Sequence, residues 1–207
     1  MHFKDFHSVF SERPCFTVRD VTLRFPAFDD RQLHYWQQRG WVRSLRRPYY
    51  RVADRPWNLP ERHAVANTVY APSYISLQSA LGHYGFIPEG VFHVTSITTR
   101  HAQTFETDGV RYFYRQVKPA WFLGYTIDQN GGIPVRMATP EKALLDLLHL
   151  DRELAGPDDF ESLRLDRVGI RKAIQQNVWN DQLTLSNNKA LHTRAKAFQR
   201  WLNDHAR

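Results

Sequence analysis

The chain has 207 residues, and its 42 % hydrophobic and 14 % aromatic content is enough to bury a core, which excludes disorder as the default state. The net charge of +7 favours polyanionic partners such as nucleic acids, and the positive excess is concentrated in residues 1–62, where 12 Lys and Arg accompany 7 Asp and Glu. The single cysteine excludes an internal disulfide. No apolar stretch reaches the roughly 20 residues of a membrane span, and the N-terminus lacks the apolar run of a signal peptide. We therefore expect a cytoplasmic protein without membrane contact.

The first 25 residues have the pattern of two short helices. Phe3, Phe6 and Phe10 recur at spacings of three and four, which places them on one face of a first helix. Thr17 and Asp20 have the spacing of a capping box, in which each side chain accepts a hydrogen bond from the other residue's backbone N–H. We therefore predict that a second helix begins there.

A third helix and a hairpin follow. Asp29 and Gln32 are start signals for this helix, and Gly40 supplies the residue that most easily ends one. The segment "WVRSLRRPYYRV", residues 41–52, has two β-rich runs around an Arg-Arg-Pro turn and predicts a hairpin. Three short helices and a hairpin are the winged-helix arrangement, in which the third helix enters the DNA major groove.

The third helix and the hairpin contain the candidate DNA-binding residues. Leu33 and Trp36 define the core face of the helix, and at about 100° per residue the opposite face is polar. Arg and Gln side chains can contact base edges in pairs of hydrogen bonds, and arginines on a wing suit phosphate contact. The candidates are Arg31, His34, Tyr35, Gln38 and Arg39 on the helix, and Arg43, Arg46, Arg47 and Arg51 on the hairpin. The same pattern also fits a solvated polar face, or a winged helix that contacts only proteins.

A segment rich in proline and charge, "ADRPWNLPERH", separates the hairpin from the rest of the chain. We therefore predict a winged-helix domain at residues 1–59 and a larger partner-binding domain at residues 60–207. Leucine and alanine spacing predicts a helix over residues 77–84, with Ser76 as its N-cap and Gly85 at its end.

The middle of the second domain has the pattern of a sheet followed by a helix. Residues 91–138 contain short β-branched and aromatic runs, separated by Asp-Gly at 108–109 and Asn-Gly-Gly at 130–132, which are hairpin signals. We therefore predict an antiparallel sheet and an α+β fold class. The segment "TPEKALLDLLHL" predicts a buried helix, because it is apolar nearly all round, and Lys142 and Asp146 can pair on its remaining face.

The last residues predict an amphipathic helix with a basic stripe. Its basic side chains fall within about 20° of one another, opposite an apolar face. Such a stripe can bind DNA, RNA or an acidic protein surface, and it can equally be a solvated face. The candidate partner-binding residues are Lys189, Lys196, Arg200 and Arg207.

Motifs for catalysis are missing from the sequence. The ten histidines form no metal-binding motif, and no nucleotide-binding or nucleophile motif is present. The best enzymatic alternative is a metal-dependent nuclease built from Asp128, Glu141 and Lys142. Glu141 and Lys142 lie in the first turn of a predicted helix, however, where a strand would be required. We therefore expect no catalytic residues, no metal site and no cofactor.

Two long motifs resemble a known family. "PSYISLQSALGHYGFIPE" at residues 72–89 and "TPEKALLDLLHL" at residues 139–150, behind a winged helix, resemble the AbiEi family of type IV toxin–antitoxin regulators. The resemblance extends through nearly the whole chain to Leu150, although Pro48 occupies the wing turn where similar proteins often have glycine. Most of this similarity is typical of a shared fold.

The AbiEi resemblance implies a bifunctional antitoxin of a phage abortive-infection system. Its winged helix would repress its own operon at inverted repeats in double-stranded DNA, with a dimer on the operator. Its second domain would counter a separately encoded nucleotidyltransferase toxin. A solitary winged-helix regulator, or an adaptor without a toxin, is the alternative that the sequence leaves open.

Overall fold

The computed structural model describes residues 1–88, 90–129 and 132–204. Residues 130–131 of the predicted Asn-Gly-Gly turn and Arg207 of the predicted basic stripe therefore lie outside the described residues. The fold is α+β, as the sequence predicts, with one small antiparallel sheet and one larger mixed sheet. No helix in the described ranges is both long enough and apolar enough to cross a bilayer.

The N-terminal module consists of three helices and a three-stranded antiparallel sheet in the order β1–β3–β2. The helices are α1 (Phe3–Phe10), α2 (Val18–Arg24) and α3 (Arg31–Gln38), and the strands are β1 (Phe16–Thr17), β2 (Val42–Arg46) and β3 (Tyr49–Val52). The predicted hairpin is confirmed, with Val42 opposite Val52 and the turn at Arg47 and Pro48. Strand β1 was not predicted, because two residues are too short to show any alternation.

Local signals set the ends of these helices. The capping box at the start of α2 is confirmed, since the Asp20 N–H donates to Thr17 Oγ1 at 3.2 Å and the Thr17 N–H donates to Asp20 Oδ2 at 2.7 Å. Gly40 has a φ of 71°, which a side chain would strain, so α3 ends just before it. The module's core is aromatic, with ring centroids of Phe6 and Trp36 4.7 Å apart and those of Phe6 and Phe10 4.9 Å apart.

Six strands form the sheet of the second domain within the described ranges, in the order β6–β7–β5–β4–β9–β8. The strands are β4 (Ser73–Ile75), β5 (Val94–Thr98), β6 (Gln103–Thr107), β7 (Val110–Gln116), β8 (Tyr125–Asp128) and β9 (Val135–Ala138). Pairs β4–β5, β6–β7 and β8–β9 are antiparallel, whereas β5–β7 and β4–β9 are parallel. The sheet is thus mixed rather than purely antiparallel, because hairpin signals describe neighbouring segments and not the order in which distant strands pair.

Helices pack against this sheet, and further helices towards the C-terminus pack against them. They are α4 (Leu59–Val69), α5 (Leu77–His83), α6 (Pro140–Leu150), α7 (Pro157–Ser162), α8 (Arg167–Ala173), α9 (Gln176–Ser186) and α10 (Lys189–Asn203), and Pro119–Trp121 form a short 3-10 helix. The predicted apolar face of α10 is buried at Leu191, Ala195, Phe198 and Leu202, where it packs against α6 and α7. Gly85 follows α5 with a φ of 70°, as its predicted role requires.

Helix α6 holds an ion pair at the centre of the second domain. Lys142 Nζ lies 2.7 Å from Asp146 Oδ1, and both side chains are completely buried. The pair was predicted, but on a polar face; the structure places it in the interior instead, because α6 is enclosed on all sides. Burial lowers the pKa of Lys142, and the neighbouring Asp146 carboxylate opposes that shift.

Polar groups from three other segments meet the Asp146 carboxylate. Tyr74 donates its hydroxyl at 2.9 Å, Ser76 at 2.7 Å, and the Trp121 indole N–H donates at 2.8 Å. Ser76 occupies the N-cap position of α5, but its side chain bonds Asp146 and makes no cap hydrogen bond. The Lys142 ammonium lies 3.5 Å from the centroid of the Trp121 ring.

We predict that Asp146→Ala lowers the free energy of unfolding by about 3–5 kcal/mol, because it leaves the buried Lys142 charge without its partner. Urea unfolding followed by circular dichroism measures the loss. The matched control is Glu106→Ala, which breaks an exposed pair with Arg111 at 3.3 Å and should cost less than about 1 kcal/mol. Equal losses in the two variants would contradict a central role for the buried pair.

Candidate nucleic-acid interface

The outer face of α3 presents the predicted base-contacting residues together. Its exposed side chains are those of Arg31, His34, Tyr35, Gln38 and Arg39. Leu33 and Trp36 face inwards, each 3 % exposed, as the spacing predicts. This whole polar face is therefore open to solvent and accessible to a groove.

Several of these side chains are held by neighbours on the same surface. Arg31 pairs with Asp29 at 2.7 Å, and the hydrogen bond from Arg31 lowers the pKa of Asp29. Gln38 Nε2 lies 3.1 Å from His34 Nε2, within hydrogen-bond distance. The Arg39 guanidinium lies 5.3 Å from the centroid of the Tyr35 ring. Because Arg31 is 88 % exposed, it can exchange Asp29 for another acceptor at little cost.

The four hairpin arginines divide into two pairs. Arg43 and Arg47 are exposed and remain candidates for phosphate contact, although Arg43 Nε also lies 3.6 Å from Asp108. Arg46 and Arg51 instead face the second domain. The Arg46 guanidinium lies 4.9 Å from the centroid of the Phe105 ring, on β6.

Arg51 is a correction to the sequence prediction. Its side chain is only 5 % exposed, and its Nε donates to Asp108 Oδ2 at 2.6 Å. One guanidinium nitrogen also donates to the carbonyl oxygens of Val52 and Arg55, at 3.1 and 3.2 Å. The group stands 4.3 Å from the Trp57 ring centroid. With its donors used internally, Arg51 supports the hairpin and cannot contact a phosphate.

The hairpin is fastened to the second domain around Asp108. This residue lies in the turn between β6 and β7 with a φ of 47°, and its carbonyl oxygen accepts the Trp57 indole N–H at 3.0 Å. Thr107 donates its hydroxyl to the Ser44 carbonyl at 3.3 Å. Leu45 of β2 belongs to the hydrophobic core of the second domain, whereas the rest of the winged-helix core forms a separate cluster. The predicted domain boundary, between residues 59 and 60, falls in the first turn of α4.

Sequence reasoning missed an apolar surface beside α3. Trp41 is 41 % exposed, and its ring centroid lies 6.2 Å from that of Tyr35. The two aromatic rings line a groove of 460 Å³ together with Met1, His2 and Phe3. Trp41 was assigned to a strand, so its spacing on the sheet gave no sign that it would adjoin the helix.

The predicted basic stripe is presented on α10. Lys189, Lys196 and Arg200 are exposed, and Arg207 lies outside the described residues. Arg171 of α8 donates to the Leu202 carbonyl at 2.7 Å, which satisfies one of the carbonyl groups at the end of α10. The helix is thus held at its C-terminal end while its basic residues face outwards.

The residues of the nuclease alternative have structural partners. Glu141 is 3 % exposed and accepts the Gln175 N–H at 2.7 Å, and Lys142 pairs with Asp146 in the core. Asp128 lies 3.3 Å from His83. Nowhere in residues 1–88, 90–129 and 132–204 do three His, Cys, Asp or Glu side chains form a group suited to a metal ion.

Comparisons with known proteins support the fold and give no information on function. No protein-family model matches the chain, and no curated protein is significantly similar to it. The crystal structure of the RV2827C protein from Mycobacterium tuberculosis is similar, with a TM-score of 0.64 over 95 % of this chain and 75 % of that one. The two sequences are 13 % identical, so the similarity is one of fold alone.

We predict that Asp108→Asn destabilises the protein by about 3 kcal/mol, because it removes the charge that the buried Arg51 guanidinium requires. Asparagine tolerates the left-handed backbone at this turn, so the loss reports the ion pair and not backbone strain. Thermal unfolding measures it, with Glu106→Gln at an exposed position of the same hairpin as the control. Hydrogen exchange should also become faster in β2 and β3. Unfolding and exchange that match the control would show that the hairpin does not depend on Asp108.

Proposed function

We propose that the protein is a DNA-binding transcriptional regulator that contacts base edges with α3 and phosphates with the hairpin. The observation that carries the proposal is the exposed polar face of α3, which stands beside the exposed Arg43 and Arg47 on one winged-helix module. The concentration of positive charge in residues 1–62 supports it.

The dimensions and chemistry of α3 suit a major groove. A helix of 8 residues is about 12 Å long and, with side chains, about 10–12 Å across, which matches a groove about 12 Å wide. Arg31 can donate to guanine O6 and N7, and Gln38 can pair with adenine N6 and N7. Arg39 and Tyr35, stacked at the edge of the same face, suit contact with the flanking backbone.

The finer proposal is an autorepressing antitoxin of a type IV system that counters a nucleotidyltransferase toxin. It rests on the AbiEi resemblance of residues 72–89 and 139–150. Those motifs contain Tyr74, Ser76, Lys142 and Asp146, the residues of the buried network, so they account for a common fold and leave the partner surface to be found elsewhere. The exposed stripe of α10 is the surface that we assign to the partner.

An adaptor that never binds DNA is the second candidate, and the exposed Tyr35 and Trp41 favour it. Exposed aromatic side chains are enriched in protein interfaces. The two candidates differ in a measurable way, since only a DNA-binding protein loses affinity for a duplex when Arg31 or Gln38 is changed. Neither candidate requires a cofactor or a catalytic residue.

We predict that Arg31→Ala and Gln38→Ala each weaken binding to a duplex from the promoter region of the protein's own gene by about 1–3 kcal/mol, with little effect on random duplex. Arg47→Ala should weaken binding to both duplexes equally and reduce the slope of log K against log salt by about one. Fluorescence-anisotropy titrations at two salt concentrations measure both effects.

The matched control for these variants is Lys172→Ala, which removes an exposed cation from α8, outside the winged-helix module. It should bind both duplexes as the wild type does. If every variant and the wild type bind promoter and random duplex equally and without salt dependence, the DNA-binding proposal is wrong and the adaptor is favoured.

We predict that the protein restores growth of cells that express a nucleotidyltransferase toxin encoded beside its gene. Lys196→Glu with Arg200→Glu should abolish this rescue without lowering the melting temperature, since exposed charges away from contacts alter stability by only about 0.5 kcal/mol. The converse control is Arg31→Ala with Gln38→Ala, which should lose promoter binding and keep the rescue. Failure of the wild type to rescue would leave a solitary regulator.

A further inference from the structure

A cleft of 830 Å³ lies in the second domain, away from the winged helix. It is lined by the end of β7, the 3-10 segment, the end of α6 and the start of α10. A neighbouring space of 520 Å³ continues it along the loop that joins α9 to α10. Lys118, His149 and Arg152 line both spaces, so we treat them as one cleft.

Cations line this cleft, and no carboxylate is among its lining residues within the described ranges. The basic side chains are Arg115, Lys118, Arg152, Lys189 and Arg194. In the described part of the chain, none of these five forms an ion pair with an Asp or Glu side chain. Arg194 is partly buried, and the other four cations are exposed along the cleft. Five cations without a carboxylate partner thus meet at one concave space, which favours an anion.

Two further groups at the cleft suit an anion. The His149 ring packs against Trp121 with centroids 5.0 Å apart and planes tilted by 31°, and its buried Nδ1 has no hydrogen-bond partner within the described ranges. Asn188 begins α10 and accepts the Leu191 N–H at 3.1 Å, so the positive end of the helix dipole lies at the cleft. Arg194 is oriented by its own hydrogen bond to the Leu148 carbonyl at 2.9 Å.

The electrostatics agree with this geometry. Burial and the nearby Arg152 lower the pKa of Arg194, and Asp151 only partly opposes them. Burial lowers the pKa of His149, and the Asp146 carboxylate opposes that shift. The positive charges of Lys142, Arg194 and Arg152 lower the pKa further. A bound anion would relieve the repulsion between Arg152 and Arg194.

We propose that this cleft binds the phosphate groups of a small phosphorylated ligand of nucleotide size. Its larger space, of 830 Å³, lies within the range of about 300–1,000 Å³ that small-ligand sites occupy. The concave shape favours a compact anion, such as a single nucleotide or a polyphosphate, over a duplex, whose surface is convex. Guanidinium and ammonium groups are the side chains that bind phosphate most strongly. The apolar side chains of Pro119, Leu150 and Leu185 also line the cleft, and they can contact the part of the ligand that carries no phosphate.

The test uses the full-length protein with ATP, tripolyphosphate and adenosine in isothermal titration calorimetry. We expect ATP and tripolyphosphate to bind in a saturable way and adenosine to bind far more weakly. Lys118→Glu with Arg152→Glu should reduce the affinity for ATP at least about tenfold. Both residues are exposed, so the fold should persist, which circular dichroism checks. Lys4→Glu with Lys172→Glu changes the net charge equally, outside the cleft, and should retain wild-type affinity.

The outcomes separate the sources of the phosphate. If tripolyphosphate binds as tightly as ATP, the site recognises phosphate groups alone. If ATP binds more tightly than tripolyphosphate, the site recognises a nucleotide. The proposal is overturned if neither ligand binds, if adenosine binds as tightly as ATP, or if the control pair loses as much affinity as the cleft pair. It is also overturned if promoter duplex displaces ATP and loses affinity in the cleft variant. Promoter binding itself should be the same in the cleft variant and the wild type, so this inference and the DNA-binding proposal fail independently.

Discussion

The buried ion pair of Lys142 and Asp146 is the constraint on which the second domain depends. Burying two charges costs several kcal/mol, and the geometry must be good enough to offset that cost. Here Tyr74, Ser76 and Trp121 supply the remaining hydrogen bonds. Because these donors come from β4, the start of α5 and the 3-10 segment, the carboxylate joins three separate parts of the chain to α6. The same arrangement places Trp121 against His149 and so shapes one wall of the cation-lined cleft.

A second enclosed ion pair joins the two domains. Arg51 of the hairpin and Asp108 of the sheet turn meet at 2.5 Å, and Trp57 covers the guanidinium. The position of the wing is thus set by the second domain and not by the winged helix alone. If the winged helix binds DNA as proposed, a partner bound to the second domain would alter that affinity only if it bound the joined and separated arrangements differently. The contact at Asp108 is where such a difference could arise.

The positive charge of the chain is divided among surfaces with different geometry. The outer face of α3 is convex and carries side chains that can form paired hydrogen bonds, which suits the edge of a groove. The cleft beside α10 is concave and carries unpaired cations, which suits a compact anion. The stripe on α10 is open and helical, which suits a protein or nucleic-acid surface. Net charge alone cannot distinguish these uses, because it contains no information on curvature.

The sequence by itself determined the local elements, whose signals lie within a few residues of one another. The Thr17–Asp20 capping box, the Leu33–Trp36 core face, the hairpin at residues 41–52 and the apolar face of α10 all follow from spacing. Tertiary structure decided what depends on residues far apart in the chain. Arg51 and Asp108, 57 positions apart, form a buried pair, which removed one predicted phosphate contact. Tyr74 donates to Asp146, 72 positions away, and so helps to enclose the Lys142–Asp146 pair, which the sequence places on a polar face. The parallel strand pairs and the cation-lined cleft also join segments that are far apart in the chain. The physical reason is that burial and charge pairing are properties of the packed chain, whereas helix caps and periodicity are properties of its neighbouring residues.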